Sequence, residues 1–206
     1  ANVMHDPVSK IKCLIAFTES PDLLEKALEI ASFIEDKANK GYAMSALAQS
    51  DPLLCKETLK VISLVPNDVD RIYPLCDLAS VLPEHLYNDA LIVTHDMNND
   101  SEKAQALGAF AENWPDTWVA KLLEKSRQIK EGYSRAQAFS TLLPRLTLDE
   151  IDIPFWQELL ATLTCRTRAE FLEDIPKLAP AIVVLGGEEA LRGVVEAMRQ
   201  VCGWWP

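Results

Sequence analysis

Glycine is scarce: seven residues in 206. Phosphate-cradling loops and strained nucleophile turns need it, because their backbone conformations are closed to other side chains. Neither G-x-x-x-x-G-K-[ST] nor G-x-S-x-G occurs. Positive charge is also in short supply, with 20 Lys and Arg against 31 Asp and Glu and a net charge of −11. That disfavours nucleic acid, which needs clustered cations against its phosphates, and equally an anionic membrane surface. No apolar run approaches the ~20 residues of a membrane span. No basic stretch leads into an apolar one at the start, so no signal peptide is visible and a cytoplasmic location is expected. The opening Ala1 reads as the mark of a processed or excised piece. The five cysteines (Cys13, Cys55, Cys76, Cys165, Cys202) are odd in number and never spaced C-x-x-C. They form neither a disulfide framework nor a zinc site, and read as inert core thiols in a reducing compartment.

What the chain does have is apolar residues, 49% of the total, and a repeat. A basic residue opens a short apolar-periodic segment at Lys10, Lys40, Arg71, Lys103, Arg135 and Arg168, and from Lys40 onward the mean interval is 32 residues. Proline keeps the same register. It stands twelve residues after the anchor at Pro52, Pro83, Pro115 and Pro180, and eleven after it at Pro21; the fifth unit departs, with Pro144 and then Pro154. Two markers at one period announce a repeat architecture.

Each unit reads as two helices. Apolar residues fall four and seven positions after the anchor, as at Met44 and Leu47, Leu75 and Leu78, Leu107 and Phe110, and Phe139 and Leu142. Small residues such as Ala104 and Ala111 sit where neighbouring backbones approach. The proline ends the first helix and starts a longer amphipathic second one, since it lacks an N–H and fixes φ. The spacing therefore predicts an all-α fold: an α-solenoid of about six stacked antiparallel hairpins, tetratricopeptide- or HEAT-like, forming one domain over residues 1–206. Residues 186–206 read as the C-terminal cap, with Gly186-Gly187-Glu188-Glu189 restarting a helix, Gly203 as its C-cap and Trp204-Trp205 as an aromatic plug.

The basic anchors, the Leu/Ala–Pro breaks and above all the ending resemble a helical-repeat family of cyanobacterial and other bacterial proteins. The closest stretch is Ile175-Pro176-Lys177-Leu178-Ala179-Pro180, then Leu185-Gly186-Gly187-Glu188-Glu189-Ala190, then Gly203-Trp204-Trp205-Pro206. In that family the repeats form the C-terminal part of STAND-type signalling ATPases of the NACHT class, or of caspase-like proteins. The resemblance implies a recognition or sensor module, with the ATPase or effector part lying elsewhere.

Candidate chemistry is thin. Asp96-Met97-Asn98-Asn99-Asp100 fails as a calcium loop, with Ser101 where glycine is needed and Leu107 where the bidentate Glu belongs. His95-Asp96 has no helix-spaced partner in His5 or His85, so no metal and no cofactor are expected. Cys76 and His85 share a unit, but no glycine turn nearby offers oxyanion donors, and core packing is the plainer reading of Cys76. The anchors read first as inter-repeat ion pairs with the acids before them (Asp36, Asp70, Glu102, Glu131) and second as a rail for an acidic peptide. Tyr87, Trp118 and Trp156 all start or nearly start second helices, where they share one rim. With Arg135 and Arg168 they are the candidate partner-binding residues. The function expected is a non-enzymatic protein–protein interaction module, a sensor or scaffold segment of a bacterial signalling or antiviral defence system whose partner is an effector, a protease or a sensed protein. The second reading is a protease substrate or regulatory adaptor fragment released from a larger protein. Deleting residues 203–206 is expected to lower stability by ~2–4 kcal/mol through loss of buried aromatic surface, read as a fall in melting temperature.

Overall fold

A computed structural model describes Ser9, Ile11 and residues 21–146 and 152–204. The described residues are helical with no strand, and none of their helices is long and apolar enough to cross a membrane. The chain divides into two compact units, residues 1–115 and 116–206.

The first unit contains α1 (Pro21–Ser32), α2 (Lys37–Ala48), α3 (Cys55–Ser63), α4 (Asp68–Ala79), α5 (Tyr87–His95) and α6 (Asp100–Asn113). Single 3₁₀ turns, Pro52–Leu54 and Glu84–Leu86, lead into α3 and α5. The second unit contains α7 (Val119–Arg127) behind the turn Asp116–Trp118, α8 (Gly132–Leu142) followed by the turn Leu143–Arg145, α9 (Ile153–Leu163) and α10 (Arg168–Trp204).

The starts of the first helices are set by capping side chains one repeat apart. Asp36 accepts from Asn39 N at 2.8 Å, Asn67 from Val69 N at 3.2 Å and Asn99 from Ser101 N at 2.9 Å, while Glu131 accepts from Tyr133 N and Ser134 N. Each satisfies one or two of the N–H groups that a helix leaves without an internal partner. Prolines then open the second segments as expected: Pro52 begins its 3₁₀ turn, Pro83 is the N-cap of the next, and Pro154 lies in the first turn of α9 behind the Asp152 cap.

In the first unit α2, α4 and α6 pack in sequence as one row, and α3 and α5 pack on each other as a second. The apolar stripes meet between them, with Met44, Leu47, Leu75, Leu78, Leu107 and Phe110 all buried. Ala104 and Ala111 are buried too, and an added Cβ at Gly41 would meet Pro74 and Val65 at 3.8 Å. In the second unit Phe139 and Leu143 pack with Leu159 and Leu163 of α9 and Leu178 and Ile182 of α10.

Two expectations need correction. Pro180 does not end a helix: α10 runs through both Pro176 and Pro180. The stripe of Ile175, Leu178, Ala181 and Ile182 continues across it at helical spacing and is buried, so packing outweighs the ~3 kcal/mol cost of an internal proline. The break comes instead at Gly187, whose φ of 71° and ψ of −178° suit only glycine, and a second helical stretch follows to Trp204. Gly203 lies within that stretch and not at a cap. The side chain of Trp204, and Trp205 and Pro206 altogether, lie outside the described residues, as do the first-unit positions Lys10, Leu14 and Phe17. The second correction concerns cysteine. Cys55 is buried and Cys76 half-buried, but Cys165 is exposed, in the turn between α9 and α10. Cys13 and the side chain of Cys202 are not described.

Gly41 and Gly187 make opposite predictions. Gly41→Ala adds a methyl in ordinary contact within a helix and should stabilise by about 0.5–1 kcal/mol. Gly187→Ala should destabilise by about 1–3 kcal/mol from backbone strain. Urea midpoints of the two variants check both signs.

Candidate interaction surfaces

Three of the basic anchors, Lys40, Arg71 and Arg135, serve the helix before them. Lys40 Nζ donates to the carbonyl of Ser32 at 3.3 Å, at the end of α1. Arg71 donates through Nε to Val65 O and through Nη2 to Ser63 O at 3.3 Å, at the end of α3. Arg135 Nη1 donates to Ile129 O at 3.1 Å, just past α7. A cation here meets carbonyls with no helical partner at the negative end of the helix dipole. The acids that pair with anchors lie three residues before them: Asp68 with Arg71 at 3.6 Å and Asp100 with Lys103 at 3.7 Å. Of the four acids expected to do so, Asp36 serves as a cap, Glu131 caps its helix and also feels the Arg135 charge, and Asp70 accepts from Asn67 Nδ2.

Tyr87 lies in the core of the first unit. It is 7% exposed and stacks on Trp114 with ring centroids 3.9 Å apart, and Trp114 in turn stacks on Phe110 at 4.2 Å. Burial, aided by Glu84, pushes its phenol up from the ordinary value. In the second unit Trp118 is half-buried with the Lys121 ammonium 5.2 Å from its ring centre, and Trp156 is half-buried in α9. Trp156 and Arg168 are brought together: both line a cavity of about 380 Å³ whose other walls are apolar, among them Leu160, Phe171, Ile175 and Met198. A second, more polar hollow of about 450 Å³ lies beside the Arg127–Glu158 pair, joined by two hydrogen bonds of 2.8 and 2.6 Å.

Sequence reading missed an aromatic pair, one ring half-buried and one exposed. Tyr42 of α2 and Tyr73 of α4 stand two residues after their anchors with ring centroids 6.4 Å apart, and Tyr73 is 56% exposed. Burial raises the Tyr42 phenol, and Asp70, Tyr73 and Asp77 add to the shift. The half-buried Cys76 thiol is pushed up to about 12, by burial first and then by Asp77, Glu112 and Glu102. The α2–α4–α6 row thus carries two tyrosines in a field of carboxylates. A thiol so raised is no nucleophile near neutral pH.

A buried ionic cluster was missed as well. Asp174 is fully buried in α10. It accepts from the Ser140 hydroxyl at 2.5 Å and from the Lys177 ammonium at 2.9 Å, and its second oxygen lies 3.2 Å from Arg166 Nε without good hydrogen-bond alignment. Lys177 Nζ also reaches Ser140 Oγ at 3.1 Å. The serine hydroxyl is spent on Asp174 and the ammonium is shared with that carboxylate, so the trio fastens α10 to α8. Glu170 extends the network outward, accepting from the Tyr133 hydroxyl at 2.5 Å and from the Thr167 hydroxyl and amide at 2.7 and 3.0 Å. Among the described residues no three His, Cys, Asp or Glu side chains are grouped to hold a metal ion.

Compared with family models, curated proteins and solved structures, this chain finds no match.

The Tyr133 hydroxyl first, then Thr167, hold the Glu170 carboxyl down to about 2 from an ordinary 4.5. Its folded value lies below its unfolded one, so its contribution to stability is present above about pH 4.5 and is lost as pH falls toward 2. In Tyr133→Phe the largest cause disappears, and the loss of stability over that window should be shallower than in the wild type. Urea midpoints measured from pH 5 down to pH 2.5 compare the two slopes.

Proposed function

We propose that the chain is a non-enzymatic protein-interaction module, a solenoid of about six ~32-residue helix hairpins that serves as the sensor or scaffold segment of a bacterial signalling or defence system. The repeat supports this reading. Caps, cationic helix ends and apolar stripes recur at one period, and within the first unit first helices pack on first helices and second on second. The signalling context rests on the resemblance of residues 168–206 to the helical repeats of STAND-type proteins.

The observation that carries the reading is the row of α2, α4 and α6. Its cations at Lys40 and Arg71 are turned to backbone carbonyls, and Tyr42, Tyr73, Asp77 and Glu112 face outward or nearly so. Exposed tyrosines are frequent anchors of interfaces, and their rings attract cations over their faces. The partner that fits is a protein offering a Lys- or Arg-bearing segment, and not the acidic peptide that was the second reading of the anchors. Arg135 is spent on Ile129 O, and Tyr87 is interior, so neither leads this surface.

Affinity capture from the source cell, with mass spectrometry of the eluate, is the test. The wild type should retain a defined protein, with retention falling as salt rises. Tyr73→Ala with Asp77→Asn should weaken the complex by roughly tenfold or more while leaving the helical signal intact. Failure of well-folded protein to retain any protein, or retention indifferent to both substitutions, counts against the proposal.

A further inference from the structure

The second unit holds a ring, a carboxylate and a cation in one arrangement of which the first unit has all but the cation. Arg127 of α7 lies over the Phe155 ring of α9, its guanidinium carbon 5.3 Å from the ring centre. It donates through Nε and Nη2 to Glu158, three residues further along the same helix, at 2.8 and 2.6 Å. Positions three or four apart share a helical face, so ring and carboxylate stand side by side. A guanidinium suits the pair because it is flat, weakly hydrated and forked. It lies on the ring while its edge meets both carboxylate oxygens.

The same face recurs on α4. Tyr73, 56% exposed, has Asp70 three residues before it and Asp77 four after. Tyr42 meets Tyr73 at a tilt of 33° with centroids 6.4 Å apart, not in the stacked contact that closes Tyr87 on Trp114 at 3.9 Å. Asp70 takes one hydrogen bond, from Asn67, and among the described residues no cation pairs with either carboxylate. The anchors of the two helices, Lys40 and Arg71, are turned to backbone carbonyls. Both carboxylates raise the Tyr42 phenol, so they act on the aromatic pair at short range.

We propose that Tyr73, with Asp70 and Asp77 on either side and Tyr42 beside it, receives an arginine side chain of the protein partner, held as Arg127 is held by Phe155 and Glu158. The inference rests on the protein-interaction reading and narrows it to arginine. A lysine serves less well, because its compact ammonium keeps its water and has no plane with which to cover the ring and meet a carboxylate together.

The full chain labelled with 3-fluorotyrosine gives four fluorine resonances, one for each tyrosine, and Tyr42→Phe and Tyr73→Phe assign two of them. It is titrated with short capped peptides of glycine and serine carrying one arginine, one lysine or one citrulline, the uncharged analogue of arginine. The Tyr42 and Tyr73 resonances should shift saturably with the arginine peptide while those of Tyr87 and Tyr133 stay in place. The lysine peptide should bind about fivefold more weakly, and the citrulline peptide about tenfold or more. Tyr73→Leu should erase the preference for arginine over lysine. Asp70→Asn with Asp77→Asn should lower the affinity for both cations roughly fivefold. Glu57→Gln, which removes the same charge from an exposed position of α3, should change nothing. Equal affinity for arginine and lysine, or shifts spread evenly over the four tyrosines, would mean generic attraction of cations to an acidic chain and overturn the assignment. Absence of any saturable shift overturns it too, and a partner still retained in the affinity capture then leaves the interaction reading standing. Arginine bound at Tyr73 with nothing retained in the capture has the opposite meaning.

Discussion

None of the helices of the first unit stands alone. They run from nine to fourteen residues, at or below the length at which an isolated helix holds together in water. Each is stable because the stripe it presents is covered by the next: α2 on α4, α4 on α6, α3 on α5. Shared burial between successive helices is thus the constraint from which the rest follows. It explains why small residues occupy the close approaches, why Pro180 is tolerated where the stripe must continue, and why Tyr87 and Trp114 are drawn inside.

Short helices also create many helix ends, and the polar residues are arranged around them. A cap satisfies the start of one helix, and the anchor one turn later reaches back to the carbonyls that close the previous one. Asp68 binds this arrangement across a whole period. Its carboxylate accepts from the amides of Asn98 and Asn99 at 2.6 and 2.9 Å while pairing with Arg71. Cations consumed in this way are unavailable to a ligand, and for that reason an acidic chain with a regular series of basic residues presents carboxylates and tyrosines on the row they start.

The helical class, the period and the core positions were legible because each depends on side-chain spacing alone, as at Leu75 and Leu78 or Phe139 and Leu142. The roles of the anchors were half legible: their register was plain, but their partners are backbone carbonyls, which carry no sequence signature. The break at Gly187 could be read from the paired glycines, whereas the persistence of α10 through two prolines depends on how much surface the far side buries. Among the site residues, Trp156 and Arg168 do meet at one cavity, while Tyr87 does not reach the surface, because a tyrosine starting a helix looks the same whether its ring turns out or stacks on Trp114. The Ser140–Asp174–Lys177 trio was invisible for a different reason. It joins positions 34 and 37 residues apart in a fashion peculiar to one place in the chain, without a second copy to reveal it.

The side-chain ties between successive segments share one property. Gln49 to Asp77, Asp68 to Asn99, Asp116 to Arg145, Arg127 to Glu158 and Tyr133 to Glu170 join residues separated by 28, 31, 29, 31 and 37 positions. A growing polypeptide therefore never waits long for the groups that complete a segment already made, since they emerge within little more than one further turn of the pattern. Assembly can keep pace with translation, and the interval during which greasy surface lies bare to other nascent chains on the ribosome is brief.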